Sequence, residues 1–298
     1  MSEPNRLLPP WNEADLAELL TLEKSATGRY RSCLCDPNLN GRVYGGQLLG
    51  QAMAAAALTV PEDRAATAMQ LLFLQGAMPD QPIDFEVIAL QDGKRFSSRH
   101  VRGSQGGTRF ILDAHVTFAL PLSAPEHATP SSALEQDPDA LPAFSTQACD
   151  WEERLRRLGG YSLREKPCIE FRVPDFERQM APDAARSGLR FWIKTRDQLS
   201  ASPGIHAGAF AYLSDWWLNF SSLGPHLHAL SEQRNLYIAS LNHSIWFHQP
   251  VAADQWMHFH SRSPCAASGR GLSVAEVHDR RGRLVASVTQ ECLMAYAD

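Results

Sequence analysis

The chain has no cysteine pair at C-x-x-C spacing; its six cysteines (33, 35, 149, 168, 265 and 292) are scattered over 298 residues. A chain of this length builds a core without cross-links, so free and mostly buried thiols are expected rather than disulfides or a thiolate metal site. It also lacks a G-x-S-x-G elbow, an H-E-x-x-H helix and a P-loop. Serine-hydrolase, zincin and nucleotide-hydrolase chemistries therefore have no anchor. No apolar run approaches the ~18 residues needed to cross a bilayer, and Met1-Ser-Glu-Pro-Asn-Arg has none of the apolar core of a signal peptide. A soluble, cytoplasmic protein is expected. Neither charge dominates: 28 Lys and Arg against 33 Asp and Glu leave a net −5. That balance gives no reason to expect nucleic acid or an anionic membrane as partner, and points to a small molecule. The pairs His226/His228 and His258/His260 have strand-face spacing, but without a neighbouring Cys or carboxylate no metal site is expected there.

What the chain does have is a duplication. Phe73, Gln75, Asp80, Gln81 and Phe85 recur as Phe247, Gln249, Asp254, Gln255 and Phe259, at the constant offset of 174 that separates Phe73 from Phe247. Arg95, Ser98 and Gly107 recur one residue later still, as Arg270, Ser273 and Gly282. A period far above the ~20–50 residues of solenoid repeats means a duplicated domain. In the first half a helix is predicted over 45–57, apolar on nearly every side and stopped before Pro61. Strands are predicted over 68–75, 83–91, 96–102 and 109–119, with turns at Asp92-Gly93 and Gly106-Gly107. The second half repeats the order, with a helix near 207–218 and strands near 237–248, 256–263, 272–278 and 284–295. One helix against a run of antiparallel strands makes an α+β layer fold. The Pro-, Ser-, Ala- and Asp-rich stretch over 124–148 reads as linker.

Three side chains stand out on physical grounds. Asp215 is the only Asp, Glu, Lys or Arg between Gln198 and Ser231 and sits among aromatics. Desolvation should raise its pKa and make it a better base near neutral pH. Gln290 interrupts the apolar face formed by Leu284, Ala286, Val288, Cys292 and Met294; its equivalent at offset 174 is Val116. It is either a functional amide or one that ties down a backbone group. Ser240, whose equivalent is Ala66, shares an alternating face with Asn242 and Ser244. It reads either as a water-holding hydroxyl or as part of a solvent-facing stripe. Polar groups in the second half thus replace apolar ones in the first, as if one site were retained and the other half served as scaffold. The helix register does not give Asp215 a partner.

Four segments carry a resemblance: Val43-Tyr-Gly-Gly-Gln-Leu-Leu-Gly-Gln-Ala, Asp92-Gly-Lys-Arg-Phe-Ser-Ser-Arg-His-Val, Asn242-His-Ser-Ile-Trp-Phe-His-Gln-Pro and Leu284-Val-Ala-Ser-Val-Thr-Gln-Glu. In this order, from about Leu20 to the C-terminus, the chain resembles the type II acyl-CoA thioesterases, the TesB family. The resemblance implies two fused hotdog domains, each a long helix wrapped by an antiparallel sheet, here residues 1–123 and 171–298 with a linker over 124–170. It further implies hydrolysis of acyl-CoA to free acid and CoA, no cofactor, and a homo-oligomer, a dimer or tetramer. The family's catalytic Asp, Thr and Gln fall on Asp215, Ser240 and Gln290. Ser240 stands where the family usually has Thr, and Asn242 where close relatives often have Asp.

The start of the first helix, Gly45 and Gly46, is expected to present backbone amides to the carbonyl oxygen in the transition state. Gly46→Val should then lower turnover without unfolding the chain. Arg95, Arg99 and Arg102 are candidates for meeting the CoA phosphates, and Trp216, Trp217 and Trp246 for burial between subunits. Two alternatives remain open. One is a non-catalytic acyl-CoA or lipid-binding hotdog protein. The other is a hotdog enoyl-CoA hydratase, which ranks last because that family's His follows its Asp by a few residues, whereas His226 lies eleven beyond Asp215.

Overall fold

A helix that is apolar all round has to be enclosed, and two such helices lie at the centre of this chain, Gly45–Ala57 and Pro203–Ser214. The structure, a computed structural model, describes residues 8–9, 11–128, 136–147, 166–180, 188–229 and 236–296. In the first half the strands are β1 (Leu22–Ala26), β2 (Arg29–Ser32), β3 (Ala65–Phe73), β4 (Asp84–Asp92), β5 (Phe96–Gln105) and β6 (Arg109–Ala119). In the second they are β7 (Ile169–Arg172), β8 (Gly188–Thr195), β9 (Leu236–Phe247), β10 (Met257–Ala267), β11 (Arg270–Asp279) and β12 (Leu284–Tyr296). They form one antiparallel sheet in the order β1-β2-β4-β5-β6-β3-β9-β12-β11-β10-β8-β7. Read inward from either edge, the two halves have the same strand order. The seam is β3 against β9, from Ala68↔Trp246 to Leu72↔Asn242.

The helices cross at Gly50 and Gly208. A Cβ on Gly50 would lie 2.9 Å from the Gly208 carbonyl oxygen, and one on Gly208 would lie 3.2 Å from that of Gly50. Only glycine permits this approach. Gly45 lies beside Asp215 at one end of the pair and Gly204 beside Ala57 at the other, so the helices run antiparallel. Around them the inward strand faces supply the core, with Met69, Leu71, Ala114 and Val116 in the first half and Phe259, Val277 and Val288 in the second. Each fully buried Leu or Met here is worth about 1.5–3 kcal/mol relative to exposure.

The second helix begins four residues earlier than its hydrophobic pattern suggests. Ser202 is its N-cap, and Pro203 occupies the first turn, where a missing N–H costs nothing. It stops at Ser214 with Asp215 as C-cap. Trp217, two residues beyond the cap, then takes the left-handed conformation (φ 60°), which glycine adopts far more readily than a side chain does. Its ring is held against Phe144, Phe171 and Phe220, which fixes this sharp exit. Phe144 belongs to the stretch between the halves, and it is not an idle connection. Its ring is buried, Trp256 donates to Asp139 Oδ1 at 2.8 Å, and Arg280 pairs with Asp137 and Asp139.

Three expectations change. Trp216 and Trp217 are buried within the chain, while Trp246 is 40% exposed on β9. Arg99 is buried and bonded to Asp92 and to Thr59 Oγ1, so it is committed to the fold and not free for phosphate. His226 lies in a 3-10 turn, not on a strand. Among the described residues, Cys35, Cys168 and Cys292 are buried free thiols, and no helix is long and apolar enough to cross a membrane.

Candidate active site

Three elements bring Asp215, Ser240 and Gln290 together. Asp215 ends the second central helix; Gln290 projects inward from β12 and Ser240 from β9. The Gln290 side-chain nitrogen donates to Asp215 Oδ1 at 2.6 Å and to Ser240 Oγ at 2.6 Å. Asn219, just past the helix end, also donates to Ser240 Oγ, at 3.4 Å.

Strict alternation along β9 would place Ser240 with Asn242 and Ser244, but the structure does not. Between the pairs Asn242↔Glu291 and Ser240↔Cys292 the register slips by one, leaving Leu241 as a bulge. One extra residue reverses side-chain parity. Ser240 therefore turns inward with His243, while Asn242 stays on the opposite face and donates to Glu291 Oε2 at 2.9 Å. The first half carries the same bulge at Thr67, between Ala66↔Phe118 and Ala68↔Thr117. The bulge came with the duplicated fold, and the serine is particular to the second half.

The helix crossing now pairs Asp215. Matching Gly208 to Gly50 sets Asp215 against Ala57. Asp215, Ser240 and Gln290 thus correspond to Ala57, Ala66 and Val116, so the related place in the first half carries none of the three polar groups. Apolar walls raise the pKa of Asp215 from 3.8 to about 6, because burial penalises the charge. Bonds from Gln290, the Gly46 N–H and Ser240, and the charge of Lys166, pull the other way without cancelling that effect. The other carboxylate oxygen, Oδ2, faces Gly45. The start of the first helix thus points its positive end at the carboxylate.

Asp215 lines a cleft of about 650 Å³ together with Tyr44, Gly45, Lys166, Trp216 and Ser240. Lys166, just before β7, had no signal in the sequence. Its ammonium pairs with the buried Asp36, lies 3.2 Å from the Tyr212 hydroxyl and sits 4.2 Å from the centre of the Tyr44 ring. Tyr212 in turn donates to Asp36 Oδ2 at 2.8 Å. This cluster fixes the end of the connecting segment against the mouth of the site.

Gly45 and Gly46 divide their roles. A Cβ on Gly45 would lie 2.7 Å from Asp215 Oδ2, whereas one on Gly46 would lie 2.6 Å from the Tyr212 carbonyl oxygen and 2.3 Å from the Tyr44 ring. Gly46 therefore cannot take a side chain without disturbing the packing of the two helices, against the expectation that Gly46→Val leaves the fold intact. His100, Asp113 and His115 bring possible metal-ligand atoms within 4.8 Å of one another, outside the cleft. There His100 Nε2 is hydrogen-bonded to the Asp113 carboxylate at 2.8 Å.

A sheet wrapped round a central helix in each half is the hotdog arrangement, here doubled, and the solved structures agree. An acyl-CoA thioesterase II, TesB2, from Mycobacterium marinum superposes with a TM-score of 0.76 at 28% identity, over 95% of this chain and 99% of that one. The profile of the acyl-CoA thioesterase N-terminal domain matches residues 36–119 and that of the C-terminal domain residues 125–294. Acyl-coenzyme A thioesterase 8 of Mus musculus is 30% identical over 84% of this chain and 79% of its own length. Acyl-CoA thioesterase 2 of Haemophilus influenzae is 28% identical over 95% and 98%. The chain is a double-hotdog hydrolase of thioesters. It belongs to the acyl-CoA thioesterase family.

Proposed function

We propose that the chain cleaves acyl-CoA by direct attack of water, with Asp215 as the base, Ser240 holding the water, and Gln290 fixing both through its two N–H bonds. The observation that carries this is the single buried Gln290 amide bonded to both Asp215 and Ser240, the two residues that line the cleft. Asp215 Oδ1 is held by that amide, and the proton is assigned to Oδ2, which faces Gly45 at the start of the first helix. The water oxygen bonds to the thioester carbon, the C–S bond breaks, and CoA leaves as a thiolate. A thiol with a pKa near ~8.5 is a good leaving group, so no strong general acid is required. Charge on the carbonyl oxygen is met by the N-terminal end of the first helix at Gly45. The hotdog units are assigned to residues 1–123 and 171–298, with 124–170 as the connection; the repeated strand order supports two units, with the second beginning at the start of β7, Ile169.

A single turnover in ¹⁸O water, with enzyme in excess over acyl-CoA, tests the chemistry. Direct attack puts the label in the free acid at once and none in the protein. Label appearing in Asp215, with unlabelled acid from the first turnover, would mean an acyl-aspartyl intermediate and overturn the reading. Acyl-CoA binding with no thiol release would instead mark a carrier. Because only ionised Asp215 accepts a proton, kcat should rise with pH through about 6. A pH–rate profile flat across that range would remove Asp215 as the base.

A further inference from the structure

Two buried polar atoms beside the site, His243 Nδ1 and Gln290 Oε1, have no hydrogen-bond partner that meets ordinary distance and angle. His243 is fully buried on β9, directly across from Gln290 on β12, and the two side chains are within hydrogen-bond reach. Its other nitrogen, Nε2, is 2.9 Å from Ser214 Oγ. Ser214 immediately precedes Asp215, so the imidazole links the helix end that carries the carboxylate to the strand that carries the amide.

The amide of Gln290 has a right and a wrong way round. With its nitrogen toward Asp215 it donates to a carboxylate; rotated by half a turn it would set a carbonyl oxygen against that carboxylate. The carboxylate fixes the nitrogen, so Oε1 points the other way and needs a donor. The Ser214 hydroxyl has one proton and two acceptors in range, the Ala211 carbonyl at 2.8 Å and His243 Nε2. If it goes to Ala211, His243 must carry its own proton on Nε2, and Nδ1 and Gln290 Oε1 become two facing acceptors. If it goes to His243, Nδ1 carries the proton and both atoms are satisfied. Leaving buried acceptors without donors is the costlier choice.

The duplication supplies a second, independent observation. At the same offsets His243 corresponds to Met69 and Ser214 to Ala56. The half without Asp215, Ser240 and Gln290 therefore lacks these two groups as well, so all five belong to one network and not to the common fold.

We propose that His243 is a positioning residue for this reaction: as a neutral imidazole with its proton on Nδ1 it donates to Gln290 Oε1, and so turns the amide nitrogen toward Asp215 and Ser240. This rests on the water-activation reading. Burial holds the imidazole pKa down to about 3, so the ring stays neutral while Asp215 titrates. The other groups that face Asp215 are Lys166, from the connecting segment, and Cys292, on β12, whose thiol is pushed up to about 11 and stays protonated. The acid limb of the rate profile is thus left to Asp215 itself.

Two substitutions separate the donor from the bulk. His243→Asn places an amide N–H where Nδ1–H stood; His243→Phe fills the space with no donor. His243→Phe should lower kcat about 10- to 100-fold with KM changed little. Its acid limb should move to higher pH, because Asp215 loses the steady donation of Gln290. His243→Asn should recover most of the rate and the original limb. In ¹⁵N-histidine-labelled wild type, long-range ¹H–¹⁵N correlations should show His243 as the neutral Nδ1–H tautomer between pH 5 and 8. An Nε2–H tautomer, or equal losses from Phe and Asn, would overturn the proposal. The tautomer is read without turnover, so it stands or falls separately from the base. An Asp215→Asn variant that keeps full activity would instead sink the underlying reaction scheme.

Discussion

Asp215→Asn is expected to lower kcat for acyl-CoA hydrolysis by about 10²- to 10⁴-fold while acyl-CoA binding stays within a few-fold of wild type. Asparagine keeps the shape, and its oxygen still accepts from Gln290, but it cannot take a proton. The same change should stabilise the fold at neutral pH. The Asp215 carboxyl is held at about 6 against 3.8 when unperturbed. A raised carboxyl contributes stability that is fully present below 3.8 and is lost as pH rises through about 6. At neutral pH the ionised group therefore opposes folding, by up to about 3 kcal/mol, and less to the extent that water in the cleft solvates it. Asparagine removes that opposition. Thermal melts of both proteins should differ at neutral pH in favour of the variant and converge toward pH 4. Unchanged kcat would remove Asp215 from the chemistry; a lower melting temperature at neutral pH would mean that the carboxylate is held by stronger bonds than those to Gln290, Ser240 and Gly46.

Much of this is legible in the sequence, and what is not has physical reasons. The 174-residue repeat and the two apolar helices announced a doubled α+β fold, because both are long-range regularities that a single sequence displays. Strands β1, β2, β7 and β8 leave little trace in the sequence. They are short, and in β1 the pattern carries no inward face, with four of its five residues exposed. Hydrophobicity starts the second helix too late because the signal for its start is Pro203 after Ser202. Ser240 reads two ways because alternation assumes a regular strand. The Leu241 bulge changes which face it joins, and no local residue type declares a bulge. The partner of Asp215 in the first half became visible only through the Gly50–Gly208 crossing, a tertiary contact. Lys166 and His243 had no signal of their own. One sits near the end of the connection between the halves and the other among the alternating residues of a strand, and each takes its meaning from what packs on it.

Gly45 and Gly46 are adjacent, yet substitution should produce opposite failures. At Gly46 a side chain would run into the Tyr212 carbonyl oxygen at 2.6 Å and the Tyr44 ring at 2.3 Å. Main-chain atoms of a second, fully enclosed helix cannot swing aside, so the helices must separate. Overpacking of this kind costs about 3 kcal/mol or more, a large part of the ~5–15 kcal/mol that holds a domain together. Gly46→Val should therefore yield little folded protein, or a melting temperature lowered by many degrees, and its loss of activity would say nothing about an oxyanion site. At Gly45 the added methyl meets Asp215 Oδ2 at 2.7 Å and the Phe73 ring at 3.5 Å. Those are side-chain atoms at the edge of a cleft, and they can give way. Gly45→Ala should fold with nearly wild-type thermal stability while displacing the carboxylate by several tenths of an ångström. Small displacements of a reacting group are expensive in rate, so kcat should fall about 10- to 100-fold. Paired melts and thiol-release assays on the two variants decide the matter. A folded and active Gly46→Val would mean that the helices are not in contact as described. A fully active Gly45→Ala would mean that Oδ2 is not the oxygen that takes the proton.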